Sequence, residues 1–190
     1  MKTSLALLLI TCFFSQFTLA ENCKVTANQQ DIAWGKVDRS SRTLHTINTT
    51  VVDGIALPER YITLNIQCDS PHYVHVMIDG NKLTYKGKSL FKFGEQSVIR
   101  VRASNPTIGG QSASMSRVSV SNQLQDGGTS NIVLLPSEGI SFMQHDREQA
   151  LTQASVQLAI LPLITGKDIN PQDLLTLTND LNISLNSRPE

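Results

Sequence analysis

The sequence has little net charge, few aromatic residues and only three cysteines. It carries 16 basic and 16 acidic side chains among 190 residues, so the formal charges cancel. The lack of a basic surplus argues against nucleic acid or an anionic membrane as a partner, because both attract clustered cations. Apolar residues make up 40% of the chain, which excludes a disordered polymer.

Long hydrophobic runs are also scarce, and the longest is at the N-terminus. A mainly apolar run follows Lys2 and ends in small residues at Ala20. This order is typical of a secretory signal peptide cleaved after Ala20, and it disfavours the alternative of an uncleaved anchor. No later segment reaches the ~20 apolar residues of a membrane-spanning helix. We therefore expect residues 1–20 to be a leader and residues 21–190 to form one exported domain without a membrane span.

The scarcity of cysteine limits the covalent chemistry of the chain. Cys12 lies in the predicted leader, which leaves Cys23 and Cys68 as one pair. A disulfide is the default for such a pair in an exported protein, and closing this loop should stabilise the fold by about 4 kcal/mol. A zinc site needs about four ligands, and a thiol redox centre usually has Cys-x-x-Cys spacing. Both alternatives are therefore disfavoured.

The strongest pattern that is present is an alternation of apolar and polar residues. From Ile62 to Cys68, every second residue is apolar. A period of two predicts a half-buried strand, with the Cys68 sulfur pointing into a core. The tripeptide Asp69-Ser70-Pro71 predicts that the strand ends there, because proline cannot donate to a ladder and Asp and Ser favour turns.

Similar short alternating segments recur as far as Leu185, with turn residues between them. They predict about eight to ten strands, and therefore an antiparallel all-β sandwich or barrel. Residues 126–129 are expected to form a hairpin turn, and residues 106–110 contain a cluster of strand-breaking residues. Residues 40–50 are polar and fit either a loop or an edge strand. Only residues 145–153 have a pattern that permits a short helix.

Candidate catalytic and metal-binding residues are sparse. His72 and His75 would leave a strand on opposite faces, so they could not chelate one ion together, and we expect them at the surface or half-buried. His145, Asp146 and Glu148 combine an imidazole with carboxylates, but this grouping favours a solvated loop or a helix start.

Other patterns of active sites are missing or have a structural explanation. The sequence contains no Gly-x-Ser-x-Gly elbow, and its glycine pairs lack the lysine of a phosphate-binding loop. Trp34 lies beside a glycine bend, where core packing is favoured over stacking on a sugar. We therefore predict a protein that is not an enzyme and has no catalytic, metal or cofactor site.

Several of these features occur together in a known family. An early cysteine, the segment Ile32-Ala33-Trp34-Gly35-Lys36-Val37, and a second cysteine that ends an Ile-x-Leu-x-Ile-x-Cys strand precede alternating segments that continue to the end. In these features the chain resembles the pilin subunits of bacterial chaperone–usher fimbriae. It looks most like an uncharacterised enterobacterial fimbrial-like domain family. The resemblance covers nearly all of residues 21–190.

The resemblance implies an immunoglobulin-like sandwich of the pilin type with an incomplete edge. A periplasmic chaperone, and then a neighbouring subunit, would add a strand at that edge. It further implies export to the periplasm, assembly through an usher, and a place on the cell surface, where a host or surface receptor would be a further partner. The expected groove lies between the first and last strands, lined on one side by Val25 and Ala27 and on the other by Leu181, Ile183 and Leu185.

The sequence departs from the pilin pattern at both ends. After the predicted cleavage only Glu21 and Asn22 would precede Cys23, and two residues are too few for a donor strand. Residues 186–190 lack the aromatic penultimate residue that pilins commonly present to their chaperone. We therefore expect a tip or terminating subunit that accepts a strand. Two alternatives stay open: an edge completed from within by residues 174–185, and a free-standing periplasmic or surface binding domain that does not polymerise.

Overall fold

The computed structural model describes residues 23–34, 42–125, 127–169 and 180–190. The predicted signal peptide at residues 1–20 lies outside the described residues, as do residues 35–37 of the predicted glycine bend. In the described ranges, no helix has the length and apolar character needed to cross a membrane.

The described chain consists of antiparallel strands and one short 3-10 helix, which confirms the predicted all-β sandwich. The first seven strands are β1 (Cys23–Ala27), β2 (Thr43–Ile47), β3 (Thr50–Ala56), β4 (Arg60–Gly80), β5 (Lys82–Tyr85), β6 (Lys88–Phe93) and β7 (Ser97–Ile108). The next seven are β8 (Gln111–Ser112), β9 (Ser114–Val118), β10 (Asn131–Leu134), β11 (Glu138–Gln144), β12 (Arg147–Glu148), β13 (Leu151–Ile164) and β14 (Leu181–Pro189), and the 3-10 helix (Gly166–Ile169) lies before β14.

The long strand β4 belongs to both layers of the sandwich. In the first layer, the first half of β4 pairs with β1 on one side and with β13 on the other. In the second layer, the second half of β4 pairs with β14 and with β11. A strand that passes from one layer to the next is a known way of forming the corner of a sandwich. The sheet is thus continuous and is folded over at β4.

The predicted strand end at residues 69–71 is wrong, because β4 continues without interruption to Gly80. The tripeptide lies at the corner, where the β1 ladder has ended at Cys68 and the β14 ladder begins at His72. Pro71 therefore lies where neither ladder needs its missing N–H, and its carbonyl accepts from the Glu190 N–H.

The main core lies between the two layers. Even-numbered side chains of β4 face it in both halves, as the alternation predicts: Ile62, Leu64, Val76 and Ile78 are all buried, whereas Arg60 at the strand start and Ser70 at the corner are exposed. Strands β7, β9, β10, β11 and β13 supply most of the other buried side chains. Trp34 packs against this core as predicted: its ring meets Phe93 edge to face, and its Nε1–H donates to the Pro58 carbonyl at 2.8 Å.

A second, smaller core lies on the outer face of the first layer. The hairpin of β2 and β3 covers the ends of β6, β7 and β13 there. Its buried side chains are Ile47, Val52, Leu90, Val98, Leu161 and Leu163. Of the two predicted possibilities for residues 40–50, the described part from residue 42 onward has the strand. Residues 40 and 41 lie outside the described residues.

The short helix permitted at residues 145–153 is absent. His145 and Asp146 form a two-residue turn between β11 and β12, both with positive φ (51° and 58°), and Leu151 already belongs to β13. Left-handed residues at both central positions match the twist of a hairpin, so strand pairing determines this segment.

The predicted hairpin turn at residues 126–129 also differs: Val118 pairs with Leu124 and Met115 with Thr129, so the chain reverses at residues 119–123. Residue 126 lies outside the described residues. Within the predicted breaker cluster at residues 106–110, Pro106 does not end β7, which extends to Ile108, whereas Gly109 and Gly110 form the turn that follows the strand.

A buried carboxylate attaches the 3-10 helix to the sandwich. Asp168 is 5% exposed, and its Oδ2 accepts from the N–H groups of Gln96 and Ser97, each at 2.9 Å. The Ser97 hydroxyl donates to the same oxygen at 2.7 Å. These three donors make burial of the carboxylate possible, because a buried polar group without partners is costly.

Candidate functional site

Strands β1 and β14 lie end to end along one edge of β4. β14 pairs with Gly80 to His72, and β1 continues in the same direction against Cys68 to Leu64. Within the described ranges, each of the two strands pairs with β4 alone. We call this composite edge the rim. Its outer side has no described strand against it, so its outward N–H and C=O groups are available to another strand.

The five predicted groove residues all lie on the rim. Each is half-buried and packs against the main core. Their partners on β4 have the same orientation: Val25 is opposite Ile66, and Ile183 is opposite Ile78. The structure therefore brings the predicted residues, Val25, Ala27, Leu181, Ile183 and Leu185, into one line along β4. They do not face each other from two sides of a groove.

The disulfide between Cys23 and Cys68 fastens the start of β1 to β4, as predicted. The two residues are directly opposite in the ladder, with Cα atoms 4.0 Å apart. The ring nitrogen of His72 lies near the two sulfurs, and the ligand atoms of these three residues lie within 4.8 Å of one another. Because the sulfurs are bonded to each other, they are not available as thiolate ligands.

His72 and His75 do lie on opposite faces of β4, but both are buried, at 2% and 8% exposure. His72 faces the disulfide, and its Nδ1 lies 2.8 Å from the Ser70 carbonyl oxygen. On the outer face, His75 Nε2 lies 2.7 Å from Glu148 Oε1. The expectation of surface or half-buried histidines was therefore wrong, because each ring has a polar partner that permits burial.

Glu148 is the centre of a polar cluster on the outer face of the sheet, and this cluster links β14 to β4 and β11. Arg188 of β14 donates to Glu148 Oε2 at 2.6 Å, and its guanidinium lies 4.3 Å from the centre of the Tyr73 ring. Ser141 of β11 donates to Glu148 Oε1 at 2.9 Å. One carboxylate thus connects β4, β11 and β14 through their side chains.

The protonation of Glu148 is shifted by these contacts. Burial raises the pKa of this carboxyl, but the hydrogen bonds from His75, Ser141 and Arg188 outweigh burial, so the pKa is lowered overall. Ser141 and His75 each form a hydrogen bond with the Glu148 carboxylate. This arrangement is not that of a nucleophile and its base, because such a pair needs a direct hydrogen bond between its two side chains.

A second charged cluster lies on the outer face of the other layer. Glu59 accepts from Arg100 Nη2 at 3.1 Å and from Arg102 Nη2 at 3.3 Å. The Tyr61 hydroxyl also donates to Glu59, at 2.7 Å. Burial raises the pKa of Glu59, but the Tyr61 and Arg100 hydrogen bonds and the Arg102 charge lower it by more. Sequence reasoning missed this cluster, although the alternation of Arg100 and Arg102 with apolar residues placed both on one face.

Comparison with known proteins gives little information on function. No protein-family model matches the chain. The chain is similar to the uncharacterized protein YhcE of Escherichia coli (strain K12), with 25% identity over 182 residues. The match covers 93% of this chain and 96% of YhcE, so the sequence similarity extends over nearly the whole length of both proteins.

Proposed function

We propose that this chain is a structural subunit of a chaperone–usher fimbria that accepts a partner's strand at the rim. In this role it is exported to the periplasm, receives a strand from a pilus chaperone, passes through the usher, and ends on the cell surface at the tip or terminus of the fimbria. The role is one of assembly and adhesion, without catalysis.

The rim is the observation that supports this proposal. Five aliphatic side chains are half-buried in one line, beside an edge without a described partner. Strand addition uses two such features: free main-chain groups bind the incoming ladder, and alternate apolar positions accept its side chains. The Cys23–Cys68 disulfide would keep β1 in place while a strand docks.

The test is binding of a fluorescent peptide of alternating valine and threonine to the oxidised chain of residues 21–190. We expect Ile183→Lys to reduce the affinity at least about tenfold, because the ammonium group would lie at the apolar rim. Ser184→Lys is the matched control, since Ser184 is exposed on the opposite face of β14. Equal binding by both variants, or no binding by the unaltered chain, would contradict the proposal.

A second candidate is a free-standing periplasmic or surface binding domain that does not polymerise. One observation favours it: β14 pairs with β4 at all nine of its positions, so the second half of β4 is already covered from within the chain. Urea unfolding separates the two candidates. A subunit that needs a donor strand should gain stability when the peptide is added, whereas a self-sufficient domain should unfold at the same urea concentration with or without it.

A further inference from the structure

Two arginines on the outer face of the first layer share a single carboxylate. Arg100 and Arg102 alternate on β7 with side chains of the main core, so their guanidinium groups point away from that core. Each donates one Nη2 bond to Glu59. Two positive groups therefore face one negative group, and the cluster has an excess of positive charge.

Both arginines also have a buried donor without a partner. The Nε atoms of Arg100 and Arg102 are inaccessible and make no hydrogen bond. Such donors are rare in folded proteins, because leaving a buried N–H unpaired costs free energy that a bound acceptor would recover. Each arginine side chain as a whole is partly exposed, at 25% for Arg100 and 34% for Arg102. An acid that displaced Glu59 from either guanidinium could bind the Nε–H and an Nη–H together as a two-pronged donor, once the guanidinium had turned to expose its Nε–H.

The surroundings indicate what kind of acid fits. Tyr61 is 48% exposed and lies in the same cross-strand row as Arg102, with the small Ala159 between them. The next rows along the face carry amides and hydroxyls: Asn105 donates to Gln157 at 3.1 Å, and Thr107 and Ser155 share a hydrogen bond of 2.7 Å. A ligand with a carboxylate next to hydroxyl groups would match this order, because the arginines would bind the carboxylate and the polar side chains beside them would bind the hydroxyl groups.

We propose that this face binds the carboxylate of a sugar acid. Arg100 and Arg102 hold the carboxylate, Tyr61 packs against the sugar ring, and the amides of Asn105 and Gln157 in the adjacent row receive its hydroxyl groups. Glu59 shows that a carboxylate fits between the two guanidinium groups, and it competes with the ligand for them. The site is on the face of the first layer and uses no residue of the rim, so it stands or fails independently of strand docking.

The test is titration of the oxidised, ¹⁵N-labelled chain of residues 21–190 with D-glucuronate, followed through the arginine Nε–H signals by NMR. We expect the Arg100 and Arg102 signals to shift, with millimolar affinity, and D-glucose to leave them unchanged. No shift with glucuronate would overturn the proposal. Equal affinity for acetate and glucuronate would overturn the assignment to a sugar acid.

Two variants move the affinity in opposite directions. Arg102→Lys keeps the charge but loses the planar two-pronged donor, so we expect about tenfold weaker binding. Glu59→Gln removes the competing carboxylate, so we expect binding to become several-fold tighter, a gain that a damaged fold would not produce. Arg60→Lys is the matched control, because Arg60 is exposed and alternates to the opposite face from Tyr61. Unchanged affinity in Arg102→Lys, or weaker binding in Glu59→Gln, would contradict the assignment.

Discussion

At the scale of single residues, Glu148 connects several strands through one side chain. Its contacts with His75, Ser141 and Arg188 bring together residues from three other strands. The sequence placed His75 correctly on the face opposite His72. It did not predict that His75 meets Glu148, because the two are 73 positions apart and no local period links them.

Replacing Glu148 by Gln should destabilise the fold by about 2 kcal/mol at neutral pH, because hydrogen bonds to a charged acceptor are lost. The folded-state pKa of Glu148 is lowered, so its contribution is fully present above the unfolded pKa of about 4.3. That contribution disappears as the pH falls through the lower folded-state value. Urea unfolding at several pH values measures the difference between the two proteins, which should shrink toward acid pH.

A matched control for Glu148 is available on the surface. Asp53 forms an ion pair with Arg42 in which both side chains are about half exposed (47% and 54%). Asp53→Asn should change the free energy of unfolding by less than about 1 kcal/mol, because solvent screens exposed pairs. A Glu148→Gln difference that stayed constant from neutral to acid pH would rule out the charge as its cause.

Asp168 is a second residue whose importance the sequence did not reveal. We expect Asp168→Ala to lower the free energy of unfolding by about 3 kcal/mol, because it leaves the two N–H donors and the Ser97 hydroxyl without their acceptor. Thermal denaturation followed by circular dichroism measures the loss. Asp69→Ala, at an exposed position of β4, should stay within about 0.5 kcal/mol of the unaltered chain, and an equal loss at both sites would contradict the explanation.

At the scale of elements, the sequence predicted which strands exist better than where each strand begins and ends. Alternation located β1, β13 and the apolar side chains of β14, because a half-buried strand imposes its period on the residues. The strand end at residues 69–71 was misplaced, since proline stops a strand only where a ladder needs its N–H. The helix permitted at residues 145–153 does not form, because pairing between β11 and β12 outweighs the local preference for a helix.

The turn between β11 and β12 allows a direct test of this explanation. Asp146 has φ of 58°, a conformation that glycine adopts without strain. Asp146→Gly should therefore stabilise the fold by about 0.5 kcal/mol, whereas Asp146→Val should destabilise it by about 1–2 kcal/mol, because a β-branched side chain is strained there. Urea midpoints of the two variants give the comparison, and a stabilising valine would contradict the turn assignment.

At the scale of the whole molecule, one covalent link closes a long loop. Cys23 and Cys68 are 45 positions apart in the sequence, and the chain-entropy model gives about 4 kcal/mol for a loop of that size. We expect the double variant Cys23→Ala/Cys68→Ala to lose about this much stability in urea unfolding. The unaltered chain should lose a similar amount when a reductant is added, while the double variant should not respond to the reductant. A response of the double variant would show that the reductant acts elsewhere.

For the molecule as a whole, only the fold class was predictable from the sequence. Counting alternating segments gave an antiparallel sandwich or barrel, and no sequence pattern showed that β4 would take part in both layers of a sandwich. Pairings such as Ile183 with Ile78 join residues more than one hundred positions apart, and local patterns carry no information on such partners.

The unbroken course of β4 has a consequence for how this protein comes apart. A sandwich whose layers are joined by loops can lose one layer while the other survives, but here the same backbone runs inside each layer, with a paired strand on both sides. Amide hydrogen exchange should therefore report a single opening event, with Leu64 and Val76 exchanging at the same free energy. Markedly faster exchange at Val76 would mean that the two halves melt separately. If both halves of β4 unfold in one event, a partner that binds either half would protect the entire molecule from unfolding.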